Sequence, residues 1–414
     1  MKAYPIGTRT NVRQVSLGKL TFLAEGRFGR VFRAERFRLP GDRTPLAFKE
    51  LTIDRAAQVA AAVALRDGMS PADRAELDQY CAWPRALVED APGNVSGFLM
   101  PAVPAQFRAR QADPGSRAVV ARPRALSWLT ASAAQRSAAR VELPEVGETE
   151  RLILLAHLVY AIGRLHAHGW VYGDLSLARA AFAADPPRLM LLGCDGAAPL
   201  ADPGRSQSST PGWEPPENAA GSADARQDTV TDAYKLGLAI LRVLVPGAGD
   251  APGEPAGLLP GELDPVGADL VTRALSADRA RRPTAKDLYG YLYRVVACRT
   301  AARAPVTVSL GGLARPQVPA LEAFCFDPMT AAFAGRLSTR VSGPGPLRVP
   351  PVRALDLVES MRPDRLTPMA APRLDEAIAA TSGALQGLIQ NEGQRYVASL
   401  RRARLGGGND QANG

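Results

Sequence analysis

Between Leu17 and Phe48 apolar and polar residues alternate in short bursts broken by Gly and Pro, which predicts successive antiparallel strands. Two further strands are expected at Ala86–Asp90 and Ser96–Met100, joined by a Pro-Gly turn. The period then lengthens. From Glu148 to His166, Leu152, Leu155, Val159, Ile162 and Leu165 recur at steps of three and four, the mark of a strongly apolar helix. A shorter helix is expected over Pro71–Tyr80 with Ser70 as its cap, and another around Ser127–Ala139 within an otherwise irregular, arginine- and alanine-rich stretch, 105–148. Residues 301–350 mix short apolar runs with Gly and Pro and read as a small strand-rich extension. From Pro372 to Leu405, Leu374, Ile378, Leu385, Leu388, Tyr396 and Leu400 keep near one face of a long helix, which packs on the chain's own core or meets a partner helix. Residues 406–414 are expected to be disordered.

The 414 residues suffice for two domains, or for one bilobal domain with an appendage, and 46% hydrophobic residues leave ample material for a core. The net charge of +9 is spread along the chain with no block of like charges, so nucleic acid is not an expected partner. Nearly all the positive charge is arginine; the lysines are Lys2, Lys19, Lys49, Lys235 and Lys286. With abundant Ala, Gly and Pro this reads as the coding bias of a GC-rich bacterial genome, not as selection for phosphate binding. Cys81, Cys194, Cys298 and Cys325 lie far apart, with no C-x-x-C pair, and suit reduced thiols in a cytosol better than a disulfide framework or a zinc site. The first residues lack the apolar core of a signal peptide, and the apolar run Ile153–Ile162 is short and contains His157, so a cytoplasmic protein without membrane spans is expected.

Chemistry concentrates between His166 and Gly196, where Asp174 and Asp195 each occupy a tight turn after apolar residues, with a hairpin-like segment between. One carboxylate in such a pair can orient an attacking hydroxyl and accept its proton while the other holds a metal that bridges nucleotide phosphates. Each turn alone would be ordinary. Other parts accompany them: Gly26-Arg27-Phe28-Gly29-Arg30-Val31 in a strand region, Lys49 in the apolar strand Thr44–Leu51, Met100-Pro101-Ala102-Val103 after the last strand, Thr210–Glu217 ending in Pro-Pro-Glu, Asp232-Ala233-Tyr234-Lys235-Leu236-Gly237, and Asp278–Thr284 with its Arg282-Pro283-Thr284. His157, His166 and His168 invite a metal or general-base reading, but their order does not place them on one site with a carboxylate, and structural histidines are the simpler expectation.

In this order, across residues 17–300, these pieces resemble the protein kinase superfamily, in the manner of a divergent bacterial Ser/Thr kinase. Tyr172-Gly173-Asp174 stands for its catalytic-loop His-Arg-Asp, and Cys194-Asp195-Gly196 for its metal-binding Asp-Phe-Gly turn. The resemblance implies an α+β, bilobal fold: a lead-in over 1–16, an antiparallel β-rich lobe and hinge over 17–104, a mostly helical lobe over 105–300, an extension over 301–371, the helix over 372–405 and the tail over 406–414. It implies ATP with Mg2+ or Mn2+ as cofactors. Asp174 would be the base, Asp195 the metal ligand and Lys49 the phosphate anchor. Gly26 and Gly29 would form the lid, Val31 would cover the adenine, Met100 would be the gatekeeper, and Pro101 and Val103 would read adenine through backbone groups. Glu217 and Arg282 would pair to tie down the activation segment, and Asp232 would mark the large lobe's central helix. Glu76 is assigned to pair with Lys49, a solvated position being equally open to it.

The departures bear on chemistry. Gly173 replaces the arginine that receives an activation-loop phosphate, Tyr172 replaces histidine, and Ser176 stands where a lysine is usual. Arg179 falls where the family has the asparagine that binds a second cation; a guanidinium cannot ligate a cation, though it can approach phosphates directly. Two readings follow: a protein kinase, or a pseudokinase that serves as a nucleotide-bound scaffold or regulator of a partner, through its C-terminal helix. A third, small-molecule phosphotransfer, meets Gly173-Asp174 but lacks a place for the activation-segment and Arg-Pro-Thr motifs.

Overall fold

The computed structural model describes residues 11–303, apart from 27, 52–54, 92–93, 114–115, 117, 202–206, 219–226 and 246–262. The described residues make an α+β protein that divides into two compact units. The expected extension, C-terminal helix and tail, together with Cys325, lie outside them.

The first unit comprises the described residues up to 103 together with 193–201. Its sheet contains β1 (Val12–Arg13), β2 (Leu20–Gly26), β3 (Gly29–Ala34), β4 (Leu46–Leu51), β5 (Ala86–Ala91) and β6 (Asn94–Pro101), in the order β1-β5-β6-β4-β3-β2. All neighbours are antiparallel except β1 and β5, so the sheet is mixed and the end of the expected lead-in belongs to it. Strand alternation divides the core in two. Leu46, Phe48, Val88 and Leu99 pack with Leu17 on one face, and Leu87 and Phe98 meet Val59, Ala60 and Val63 of α1 (Ala56–Gly68) on the other. Helix α2 (Pro71–Tyr80) follows, its first turn capped by Ser70, whose Oγ accepts from the Asp73 N–H at 3.1 Å.

At the β2–β3 turn Gly29 has φ +147°, and a Cβ there would stand 1.9 Å from the Glu50 carbonyl oxygen on β4. Only glycine admits that approach. Gly29→Ala is therefore expected to lower the thermal unfolding midpoint by several degrees, a cost on the order of 1–3 kcal/mol; an unchanged melt would show that the hairpin relaxes freely.

The second unit holds the described residues of 104–192 and 202–303. It begins with a hairpin of β7 (Arg108–Ala112) and β8 (Val119–Pro123), in a stretch the sequence pattern leaves irregular. The helix expected over Ser127–Ala139 is instead a short turn at Leu126–Leu129 and a separate α3 (Ala133–Ala138). The division falls at Ser132, whose hydroxyl accepts from the Gln135 N–H while the Gln135 side chain accepts from the Ser132 N–H, a capping box that starts a new helix. At the unit's centre runs α4 (Glu148–Ala167), buried along almost its whole length by α5 (Thr229–Leu244), α7 (Ala285–Arg303) and the hairpin of β10 (Ala180–Ala184) and β11 (Pro187–Leu191). A two-residue strand, β9 (Trp170–Val171), follows α4, and α6 (Pro265–Ala274) packs on α5. Among the described residues no helix is long and apolar enough to cross a membrane.

Candidate functional site

In the first unit the strand register sets Lys49 opposite Val31, and Gly26 pairs with Gly29 to close the hairpin tip. The Lys49 ammonium lies 2.6 Å from Asp195 Oδ2, with side-chain exposures of 12% and 3%. Asp195 arrives on a single turn, 194–196, entered through Gly193 in the left-handed conformation. Helix α1 packs on that turn, and Gln58 donates to the Ala197 carbonyl at 3.3 Å. Beside it Cys81 and Cys194 are buried thiols that form no disulfide; burial, the Cys81 thiol and the Asp195 carboxylate push Cys194 up. Met100 and Pro101 end β6, opposite Ala47 and Leu46, and the Ala102 N–H is bonded to the Pro45 carbonyl, so the chain stays on the sheet until Val103.

The pairing of Lys49 with Glu76 is not formed. The helix that packs beside β5, β6 and the Asp195 turn is α1, and its first turns, Ala56 to Leu65, contain no acid; Glu76 belongs to α2, further along the chain. The ammonium's carboxylate partner is Asp195.

In the second unit Asp174 sits on a loop fastened from beneath. The fully buried Asp232, on α5, accepts the Tyr172 N–H through Oδ2 and the Gly173 N–H through Oδ1, both at 2.9 Å. His166 Nε2 lies 3.0 Å from the same Oδ2. This histidine–carboxylate contact is absent from the sequence reading, because it joins the end of α4 to a residue 66 positions away. The Tyr172 hydroxyl donates to the Leu192 carbonyl, locking the ring beneath the loop. Gly173 has φ +78°, a backbone conformation that side chains rarely adopt, and a Cβ would stand 2.4 Å from Gln207 Nε2, so an arginine here would be strained and would need Gln207 to shift.

Both Asp174 oxygens are engaged. Arg179 Nη2 approaches Oδ2 at 2.6 Å and Thr210 Oγ1 donates to Oδ1 at 2.7 Å, with Ser176 Oγ 3.4 Å from the Thr210 hydroxyl. The short turn over Leu177–Arg179 brings the guanidinium back over the carboxylate five residues earlier. A carboxylate so aimed can receive a hydroxyl proton once one of its partners yields.

Glu217 and Arg282 form a bidentate pair with both N–O distances 2.7 Å; the Arg282 side chain is fully buried over the Tyr234 ring, and Arg279 joins from the other side to bridge Glu217 and Asp228. Partial burial raises the Glu217 carboxyl, but the hydrogen bonds and charge of Arg282 outweigh it and the net shift is downward. A lowered folded value means stabilisation that is complete above the unfolded glutamate range, about pH 4.3, and is lost as pH falls through the folded value. Glu217→Gln should flatten the decline of the melting temperature between about pH 5 and pH 3; an unaltered slope would mean that other groups govern acid unfolding.

Within the first unit, Lys49 could meet a phosphate oxygen and Asp195 could hold one cation. Asp195 meets a described residue through Oδ2 alone, and no cluster of three or more potential ligands occurs among the described residues, so the remaining ligands of a hard cation would be phosphate oxygens and water. At a second cation site Arg179 does not fit, being positive and already committed to Asp174. No family model matches the chain, and no curated protein matches it either.

Proposed function

We propose that the chain is a divergent, bilobal protein-kinase-like protein that binds ATP with Mg2+ or Mn2+ and transfers the γ-phosphoryl group to Ser or Thr hydroxyls of a protein. The observation that carries the reading is the seating of Asp174: a carboxylate on a loop whose preceding peptides are bonded to a buried aspartate, with a threonine hydroxyl on one oxygen. A general base needs such fixing, because a proton acceptor contributes only when it is held at the attacking oxygen. In this reading Lys49 anchors phosphates, Asp195 holds the cation, the Gly26–Gly29 hairpin covers the phosphates, Val31 shields the adenine, and Met100, Pro101 and Val103 line it. Bound Mg-ATP supplies the transferable phosphoryl group and neutralises charge on it. Asp174 takes the hydroxyl proton, and Arg179 sets how often it is free to do so.

A second reading is a nucleotide-bound scaffold that regulates a partner. It is favoured by the occupancy of both Asp174 oxygens and by the lack of an acid on the first turns of α1.

The deciding experiment incubates the full-length protein with γ-labelled ATP, Mg2+ or Mn2+ and generic protein substrates, beside Asp174→Ala. Label transfer that disappears in the variant supports the enzyme. Absent transfer together with ATP-dependent thermal stabilisation, abolished by Lys49→Ala, supports the scaffold. If ATP changes neither signal, both readings fail.

A further inference from the structure

Lys235 lies inside α5, fully buried, and the roles assigned above do not use it. Burial in a helix is costly for an ammonium unless all three of its N–H groups find acceptors. Here they do: Nζ donates to the Gly173 carbonyl, to Gln227 Oε1 and, at 3.1 Å, to Ser209 Oγ. None of the three is a carboxylate. The charge is instead offset at longer range by acids including Asp232 and Asp174, while burial pulls the ammonium's pKa down.

The acceptors come from three separate places. Gly173 is the residue before Asp174, Ser209 the residue before Thr210, and Gln227 immediately precedes the cap of α5. Gln227 in turn donates to the Gln207 and Ser208 carbonyls, and Gln207 donates to the Val171 carbonyl at 3.3 Å. The N–H of Gly173 is already held by Asp232, so the residue before the base is gripped at both its N–H and its carbonyl from a single helix.

We propose that Lys235 is a positioning residue that fastens segment 207–210 to the Asp174 loop with an internal cation, so that the segment is ordered without being phosphorylated. Gly173, which stands where the resemblance leads one to expect an arginine that binds a phosphorylated segment, has no side chain to offer, and the cross-link is supplied by Lys235 from α5 instead. The significance for phosphoryl transfer rests on the function proposed above; the fastening itself does not.

The test uses full-length protein treated with a broad-specificity phosphatase until its intact mass shows no phosphate, compared with Lys235→Met by hydrogen–deuterium exchange. In the phosphate-free wild type, peptides covering 171–174 and 207–213 should be protected. In the variant they should exchange at least tenfold faster, while peptides from α4 and α7 stay within twofold. Wild-type protein that protects these peptides only when phosphorylated overturns the proposal, as does a variant that exchanges like wild type. Should Lys235→Met lose its unfolding transition altogether, Ser209→Ala decides, since it removes an acceptor of the ammonium and leaves the Gln227 bonds to the segment in place: faster exchange confined to the same two peptides supports the proposal and unchanged exchange overturns it. None of these readings needs ATP, so they stand apart from the outcome of the labelling experiment. Where labelling shows turnover, Lys235→Met should lower kcat at least tenfold and leave the KM for ATP within twofold; a parallel rise in KM would assign the effect to general loosening and overturn the positioning role.

Discussion

Asp232→Ala is expected to cost the second unit about 4 kcal/mol, lowering its melting temperature by roughly 10–15 °C. The wild-type carboxylate is fully buried and is the acceptor for two backbone N–H groups and for His166. Alanine cannot replace it, and each buried donor left without an acceptor costs on the order of 1–3 kcal/mol, more than the bond itself had contributed. The loss extends to Lys235, because Asp232 heads the acids that keep its ammonium charged. Asp232→Asn should cost less, since one oxygen remains to accept from the Tyr172 or the Gly173 N–H. Thermal and denaturant unfolding of the three proteins checks the order. Equal stability of the alanine variant and the wild type would mean that water or a rearranged loop satisfies the N–H groups, and that Asp174 does not depend on α5 for its position.

On the proposed kinase reading, Arg179→Asn is expected to raise phosphoryl transfer about tenfold or more, because a positioned base contributes on the order of 100- to 10,000-fold and Asp174 is occupied by a guanidinium 2.6 Å away. The substitution removes that cation and leaves a carbonyl oxygen able to ligate one. The stability change should be small, since the Arg179 side chain is about a third exposed and pairs of this kind contribute little. Label transfer in wild type and variant, with melting curves to establish equal folding, measures the effect. A fall in transfer would show that the guanidinium acts on the phosphates; no transfer in either protein, with ATP stabilisation retained in both, would leave the scaffold as the supported reading.

Legibility in the sequence followed the distance over which each contact is decided. Local patterns were sufficient for β5, β6, α2 and α4, whose periodicity, joined by the Ser70 cap for α2, is complete within their own residues, and the hairpin between Asp174 and Asp195 is likewise present as β10 and β11. The Glu217–Arg282 pair was accessible only through resemblance, since nothing between residues 65 positions apart announces it. The β7–β8 hairpin escaped because its strands are built of Arg, Ala and Gln with few β-branched residues, so tertiary context decides their conformation. The partner of Lys49 is hidden for a related reason. A lysine in a strand points to an acid on the following helix, with Glu76 or a solvated face as the local choices, whereas the acid comes from a turn 146 residues later. Thr210 lay within a recognised motif, but its hydroxyl's direction toward Asp174 depends on how segment 207–210 is held.

The same long connection has a consequence for biosynthesis. The six strands of the first unit are complete within residues 12–101, yet the unit also includes 193–201, which leaves the ribosome only after the intervening residues of the other unit. At about 5–20 residues per second, a nascent chain spends several seconds or more with its sheet able to form while Lys49 faces no Asp195. Closing the loop afterwards adds only a modest entropic term, since that cost grows with the logarithm of loop length. Order of synthesis thus makes Lys49 the first piece ready and its counter-ion a late arrival, and a fragment ending at residue 103 would present that lysine permanently without it.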